Sequence, residues 1–251
     1  MQIYKEQINL LAIANRTHRV NPMSTFASLS SKYLQRSQTP GFTPQNPSSP
    51  LISHRTVTMP TTIKAPVVWI NGFPGTGKKT IADAMKQLDP NILVLDNHKL
   101  IDPVAAVISR DHPEYNTQRK QYRQTILQRH VLHPSSHDHL VVFTDFQSDN
   151  ELGQSVAQEY ANAASYAGRP FLPVYLTCGL EANIERVDHA ERVASGTTKL
   201  LDQCLLRDMK GRCELFKFQG YPGLMIDSTE KTALENAKKI LGTVEGWRDA
   251  D

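Results

Sequence analysis

The run Val67-Val68-Trp69-Ile70-Asn71 leads directly into Gly72-Phe73-Pro74-Gly75-Thr76-Gly77-Lys78-Lys79-Thr80, and this junction restricts the fold more than any other stretch. An apolar run, a glycine-rich loop and then Ile81, Ala82, Met85 and Leu88 at helical spacing read as strand, loop and helix. Glycines at 72, 75 and 77 let the backbone turn its N–H groups toward one centre, and the start of a helix adds favourable partial charge for a phosphate. The phosphate-binding pattern G-x-x-x-x-G-K-[ST] holds as far as Lys78, which would reach β- and γ-phosphates. Lys79 stands where Ser or Thr should follow, and Thr80 arrives one position late. A glycine-rich turn carrying two solvated lysines is the plainer alternative.

Beyond this loop the chain alternates short apolar runs with longer amphipathic ones. Strands are expected at 67–71, 92–96, 140–145, 171–177 and 224–227, and helices near 77–88, 114–133, 150–167, 180–194 and 229–245. Nearly continuous apolar strands separated by helices predict an α/β fold, a three-layer αβα domain over 63–251 with a five-stranded parallel sheet. Residues 1–62 read as a disordered, basic extension, with Pro40, Pro44, Pro47, Pro50 and Pro60 among many Ser and Thr. Its first 36 residues suit a mitochondrial transit peptide; the other reading makes Met59 a natural start and the rest an inert extension, with a cytoplasmic protein. No apolar run approaches the roughly 18 residues of a membrane span.

The formal charge of +3 is unevenly spread. Six basic residues precede residue 63 against Glu6 alone; of 28 basic and 25 acidic residues in all, that leaves 22 against 24 in the body. A slightly acidic body argues against an extended nucleic-acid surface. Cys178, Cys204 and Cys213 are odd in number and lack C-x-x-C spacing, as expected of buried thiols in a reducing compartment rather than a disulfide or zinc site.

The segment GFPGTGKKT resembles the G-x-P-G-x-G-K-x-T loop of nucleoside monophosphate kinases and their small-molecule kinase relatives, and the order of elements across 65–245 is similar to theirs. The resemblance implies ATP and Mg2+ as cofactors and a small-molecule phosphoryl acceptor. It implies contacts to ATP from Gly72, Pro74, Gly75, Thr76, Gly77, Lys78, Lys79 and Thr80, with Lys78 on the transferring group and Thr80 by the α-phosphate or the metal. Lys79 is either a surface lysine or an added phosphate contact. Asp145, closing the apolar run LVVFTD, matches the Walker B carboxylate that orients magnesium, or else caps a turn. The Phe146-Gln147 that follows departs from the D-G-F-P-R run of adenylate kinases.

By the same resemblance Asp96 faces the acceptor, with an Asx turn as the structural alternative. Arg119, Arg123 and Arg129 border an acceptor pocket or form a solvated face. The basic cluster across 186–213, with the composition of a mobile loop, resembles a lid over ATP, with Arg192 and Arg186 expected to neutralise the transferring phosphoryl; an ordinary basic helix surface is the plainer alternative. Asp227-Ser228-Thr229 is expected to cap a helix from near Glu230 while passing the adenine. The function implied is an ATP-dependent phosphotransferase acting on a small hydroxyl compound or nucleotide. A nucleic-acid 5′-hydroxyl kinase and a nucleotide-binding regulator or ATPase without transferase activity remain as alternatives.

Overall fold

The computed structural model describes residues 64–187 and 202–248. The predicted N-terminal extension and Arg192 lie outside them. Five strands, β1 (Val67–Gly72), β2 (Leu93–Leu95), β3 (Val141–Asp145), β4 (Phe171–Thr177) and β5 (Leu224–Asp227), form one sheet in the order β2-β3-β1-β4-β5. Every pairing is parallel. The helices are α1 (Lys78–Leu88), α2 (Asn97–Ala105), α3 (Tyr115–Leu127), α4 (Glu151–Tyr166), α5 (Leu180–Val187), α6 (Gln203–Arg212) and α7 (Ala233–Arg248). The architecture is the expected αβα sandwich.

The strands are apolar throughout because both faces of the sheet are covered. All six residues of β1 are buried, and their alternation divides them between two layers. Val67 and Trp69 face Leu100 of α2, Leu127 of α3 and Ala157, Tyr160 and Ala164 of α4. Val68 and Ile70 face Ile81 and Met85 of α1 and Ile240 and Val244 of α7. Each large apolar side chain withdrawn from water this way contributes about 1.5–3 kcal/mol. The alanines of α4 bring its backbone close to the sheet, leaving room for the Tyr160 ring against Trp69 and Phe143, with centroids at 6.1 and 4.9 Å.

Four local features differ from the sequence reading. Helix α2 was not predicted, because Pro103 interrupts its pattern; the proline sits near the C-terminal end, and the Asp96 side chain caps the start by accepting from His98 N at 2.7 Å. The long helix expected to 133 ends its α-helical part at Leu127 and continues as a wider π turn over Gln128–Leu132. Residues 203–212, read as part of a mobile loop, form α6. Helix α7 begins at Ala233 rather than near Glu230, and its cap is a reciprocal Thr232–Glu235 box: Thr232 N donates to Glu235 Oε2 at 2.8 Å, and Glu235 N to Thr232 Oγ1 at 3.2 Å.

At the amino-terminal end of the strands the buried Arg169 ties several segments together. Its guanidinium donates to Ala65 O and His139 O, each at 2.6 Å, and to Pro66 O, His130 O and Val131 O at 3.2–3.5 Å. Burial lowers its pKa to about 10. At the sheet margin, Lys99 Nζ donates to Val94 O of β2 at 3.0 Å. Of the cysteines expected to be buried, Cys178 is buried, whereas Cys204 is exposed.

Candidate functional site

The chain reverses its direction of travel about β1: β1 leads to β2 on one side of itself, whereas β3 leads to β4 on the other. In open parallel sheets the crevice beyond the carboxyl ends of the strands at such a reversal is where ligands bind. The loop Gly72–Lys78 lies there. Gly75 and Gly77 adopt φ of 83° and 88°, the left-handed region that glycine enters without steric cost. Within the loop Thr76 Oγ1 donates to Phe73 O at 2.8 Å. Lys78 Nζ folds back over the loop and donates to Gly72 O at 2.6 Å and Phe73 O at 2.9 Å.

Three neighbours brace the loop from outside. Asn183 of α5 donates through Nδ2 to Pro74 O at 2.8 Å. Lys210 of α6 donates to Asn183 Oδ1 at 3.2 Å and Cys178 O at 2.9 Å, with its ammonium 5.9 Å from the centre of the Phe73 ring. Ser228 donates through Oγ to Thr76 O at 2.9 Å and is also 3.0 Å from Thr177 O. Asn183 and Ser228 carry no signature in the sequence beyond being polar residues beside apolar ones, and Ser228 was expected to cap a helix and pass the adenine, with no part in holding the loop. Their burial shows their part: Asn183 is fully buried and Ser228 is 3% exposed.

Arg186, predicted to meet the transferring phosphoryl, donates to Ser228 O at 2.8 Å and Thr229 O at 3.0 Å. It thereby holds the turn after β5, where Asp227 accepts from Thr229 N at 2.9 Å. The hydroxyl and N–H of Thr229 hold the Asp227 carboxyl below its usual range. This turn, Arg186, Lys231, Thr232 and Asn236 enclose with Thr76, Gly77 and Thr80 a cavity of about 310 Å³ flanking the loop.

Two carboxylates stand at the adjacent strand ends. Asp145 ends β3, in register with Asn71 of β1, and is buried. Its Oδ1 accepts from Phe146 N at 2.8 Å, and burial followed by the Asp145 charge pushes the Tyr160 phenol well above its usual value. Asp96 follows β2 and is 5% exposed, and Asn97 N donates to Thr144 Oγ1 at 3.3 Å, tying this corner to β3. Asp96 therefore does form the Asx-type helix cap, at the end of a strand that pairs with β3. Nearby, Arg123 makes a two-pronged pair with Glu159, both bonds 2.9 Å. Burial opposes its charge, yet Glu159 holds the guanidinium above its ordinary pKa. Arg119 stacks 6.0 Å from the Tyr115 ring with its Nε buried and unbonded. Arg129 is exposed on the π turn.

Asn71, unremarked in the sequence, joins this crevice to the segment after α6. Its Nδ2 donates to Gln147 O and Phe216 O, both at 3.0 Å, and its Oδ1 accepts from Gln147 N at 2.8 Å. Residues 147–149 and 214–216 run antiparallel there, with Phe216 N to Gln147 O at 3.0 Å and Asp149 N to Glu214 O at 2.8 Å. A buried amide ending an apolar strand is the signal that could have found it.

The donor set fits magnesium only in part. Asp145 would supply a carboxylate of the kind that a nucleotide-borne magnesium takes from a protein. The position of the usual hydroxyl ligand holds Lys79, whose ammonium pairs with Asp83 one turn on. Thr80 is exposed and lines the cavity beside the turn after β5.

No protein-family model and no curated protein matches the sequence. Solved structures are similar in fold. A proposed kinase from Chloroflexus aurantiacus superposes with a TM-score of 0.53 at 14% identity, over 74% of this chain and 98% of that one. APS kinase from Mycobacterium tuberculosis, solved with AMPPNP and APS, gives a TM-score of 0.48 at 17% identity, over 73% and 99%. A gluconokinase from Sinorhizobium meliloti gives 0.48 at 14% identity, over 75% and 96%.

Proposed function

We propose that this chain, whose fold is P-loop kinase-like, transfers the γ-phosphoryl group of ATP to a small-molecule hydroxyl or nucleotide acceptor. The observation that carries the reading is the braced loop with Lys78 over it and two buried carboxylates, Asp145 and Asp96, at neighbouring strand ends. A glycine-rich turn of no function would not need Asn183, Lys210 and Ser228 to hold it.

In this reading the loop N–H groups and the start of α1 bind the triphosphate, and Lys78 exchanges its two carbonyl partners for phosphate oxygens. The cavity between the loop and the turn after β5 receives the nucleoside, and Arg186 keeps that turn in place. Asp96 orients the acceptor hydroxyl. As the acceptor oxygen bonds to the γ-phosphorus and the bond to the ADP oxygen breaks, the hydroxyl proton passes to the Asp96 carboxylate. Arg119 supplies a cation on the acceptor side. Magnesium, bound with ATP and held by Asp145, would add positive charge on the phosphates. Catalysis rests on positioning and charge neutralisation.

Formation of ADP is measured with a panel of small hydroxyl compounds, nucleotides and a 5′-hydroxyl oligonucleotide. One acceptor should accelerate it, and Lys78→Ala should abolish that acceleration while leaving the fold intact. Asp96→Asn should keep ATP binding and lower kcat by about 10²–10⁴-fold. Acceptor-dependent turnover that survives in Lys78→Ala would refute the reading. Lys79 favours one competitor, a nucleotide-binding regulator or simple ATPase, for which no acceptor changes the rate.

A further inference from the structure

The position after Lys78 is where a phosphate loop places a Ser or Thr hydroxyl on the metal. Here it carries a cation. Lys79 sits in the first turn of α1 with its ammonium on Asp83, and the two side chains are 48% and 44% exposed. An exposed pair of this kind holds by only about 0.2–1 kcal/mol, and the lysine stem is long and flexible. Thr80, the next hydroxyl along, borders the nucleoside cavity.

We infer that Lys79 is a resident substitute for part of the metal's charge: when a triphosphate enters the loop, its ammonium leaves Asp83 and bonds to the phosphates, so that ATP binds with little dependence on magnesium. This rests on the loop being an ATP site. The exchange is favourable because a triphosphate carries several negative charges beside the start of a helix, whereas Asp83 offers one in open solvent. At about 4 Å, opposite unit charges near a protein surface attract by several-fold more than they do in bulk water. Asp83 keeps the lysine on this flank of α1 while the loop is empty.

The test is calorimetric titration of the full chain with ATP, in excess EDTA and in saturating magnesium chloride. The readout is the ratio of the two dissociation constants. Wild type should bind in both conditions with a ratio below about threefold, under 0.7 kcal/mol. Lys79→Ser restores the hydroxyl, and its ratio should rise to about tenfold or more, mainly by loss of metal-free affinity. Asp83→Asn frees the lysine and should tighten metal-free binding by about threefold. Both positions are exposed, so the variants fold. If wild type binds ATP and the ratio is equal in wild type and Lys79→Ser, the lysine assignment is overturned and the nucleotide site stands. If wild type binds ATP in neither condition, the nucleotide site falls as well.

Discussion

Gly75 and Gly77 offer a matched pair for testing how the loop is held. Both have left-handed backbones, at φ 83° and 88°, so an alanine at either bears the same conformational cost, about 1–2 kcal/mol. Their surroundings differ completely. A Cβ on Gly77 meets nothing within 4 Å, whereas on Gly75 it would lie 2.4 Å from Asn183 Nδ2, 2.6 Å from Val187 Cγ2 and 3.0 Å from Asn183 O. Forcing these groups apart adds about 1–3 kcal/mol, and breaking the Asn183–Pro74 hydrogen bond about 0.5–1.5 kcal/mol more. Gly77→Ala should therefore cost about 1–2 kcal/mol, and Gly75→Ala about 3–6 kcal/mol. Urea unfolding without nucleotide, followed by the fluorescence of the fully buried Trp69, measures both. At a slope of about 1–3 kcal/mol per molar urea, the two midpoints separate by roughly 1 M. Adding Asn183→Ala to Gly75→Ala should cost less than the sum of the single changes, because the clash and the broken bond share one side chain. Equal midpoint shifts for the two alanine variants would refute the bracing argument.

Three further outcomes follow from the fold. Arg169→Met, which keeps the bulk but strands Ala65 O and His139 O, should cost about 3–5 kcal/mol in urea unfolding. Arg123→Leu should cost about as much by leaving Glu159 half-buried and unpaired, while Arg123→Leu with Glu159→Leu should recover most of the loss. Burial and then Arg129 hold the His130 imidazole below 6.5, so between that lowered value and 6.5 the unfolded chain binds more protons than the folded one. Its contribution is fully present above 6.5 and fades as pH falls through this window. Melting curves at several pH values should show a smaller acid-side loss in His130→Gln than in wild type.

The sheet was legible because parallel strands covered on both faces must be apolar along their whole length, and all five predicted runs became strands. The glycine-rich loop was legible because its glycines answer a local demand of the backbone. What was not legible depends on pairs of residues far apart in sequence. Asn183 reaches Pro74 across 109 positions, Ser228 reaches Thr76 across 152, and Asn71 reaches Phe216 across 145. Each looks like any other polar residue until the fold brings its partner to it. Helix α2 was missed for a local reason, a proline that helical patterns rarely admit, and the start of α7 because Asp227-Ser228-Thr229 offers a cap as good in composition as Thr232 with Glu235. Arg123 and Arg119 had equal standing in the sequence; only the structure separates the arginine committed to Glu159 from the one with an unbonded Nε.

The lengths of the strands bear on how this protein behaves in a concentrated solution. The inner three span five to seven residues, while β2 and β5 at the two margins span three and four. A margin offers unpaired N–H and C=O groups to any passing chain, and a short one offers few. On β2 one carbonyl, that of Val94, already bonds to the Lys99 ammonium, which also sets a charge where an intruding strand would have to lie. The sheet thus grows outward to a point where further growth is discouraged, and resistance to edge-to-edge aggregation is built into its outline.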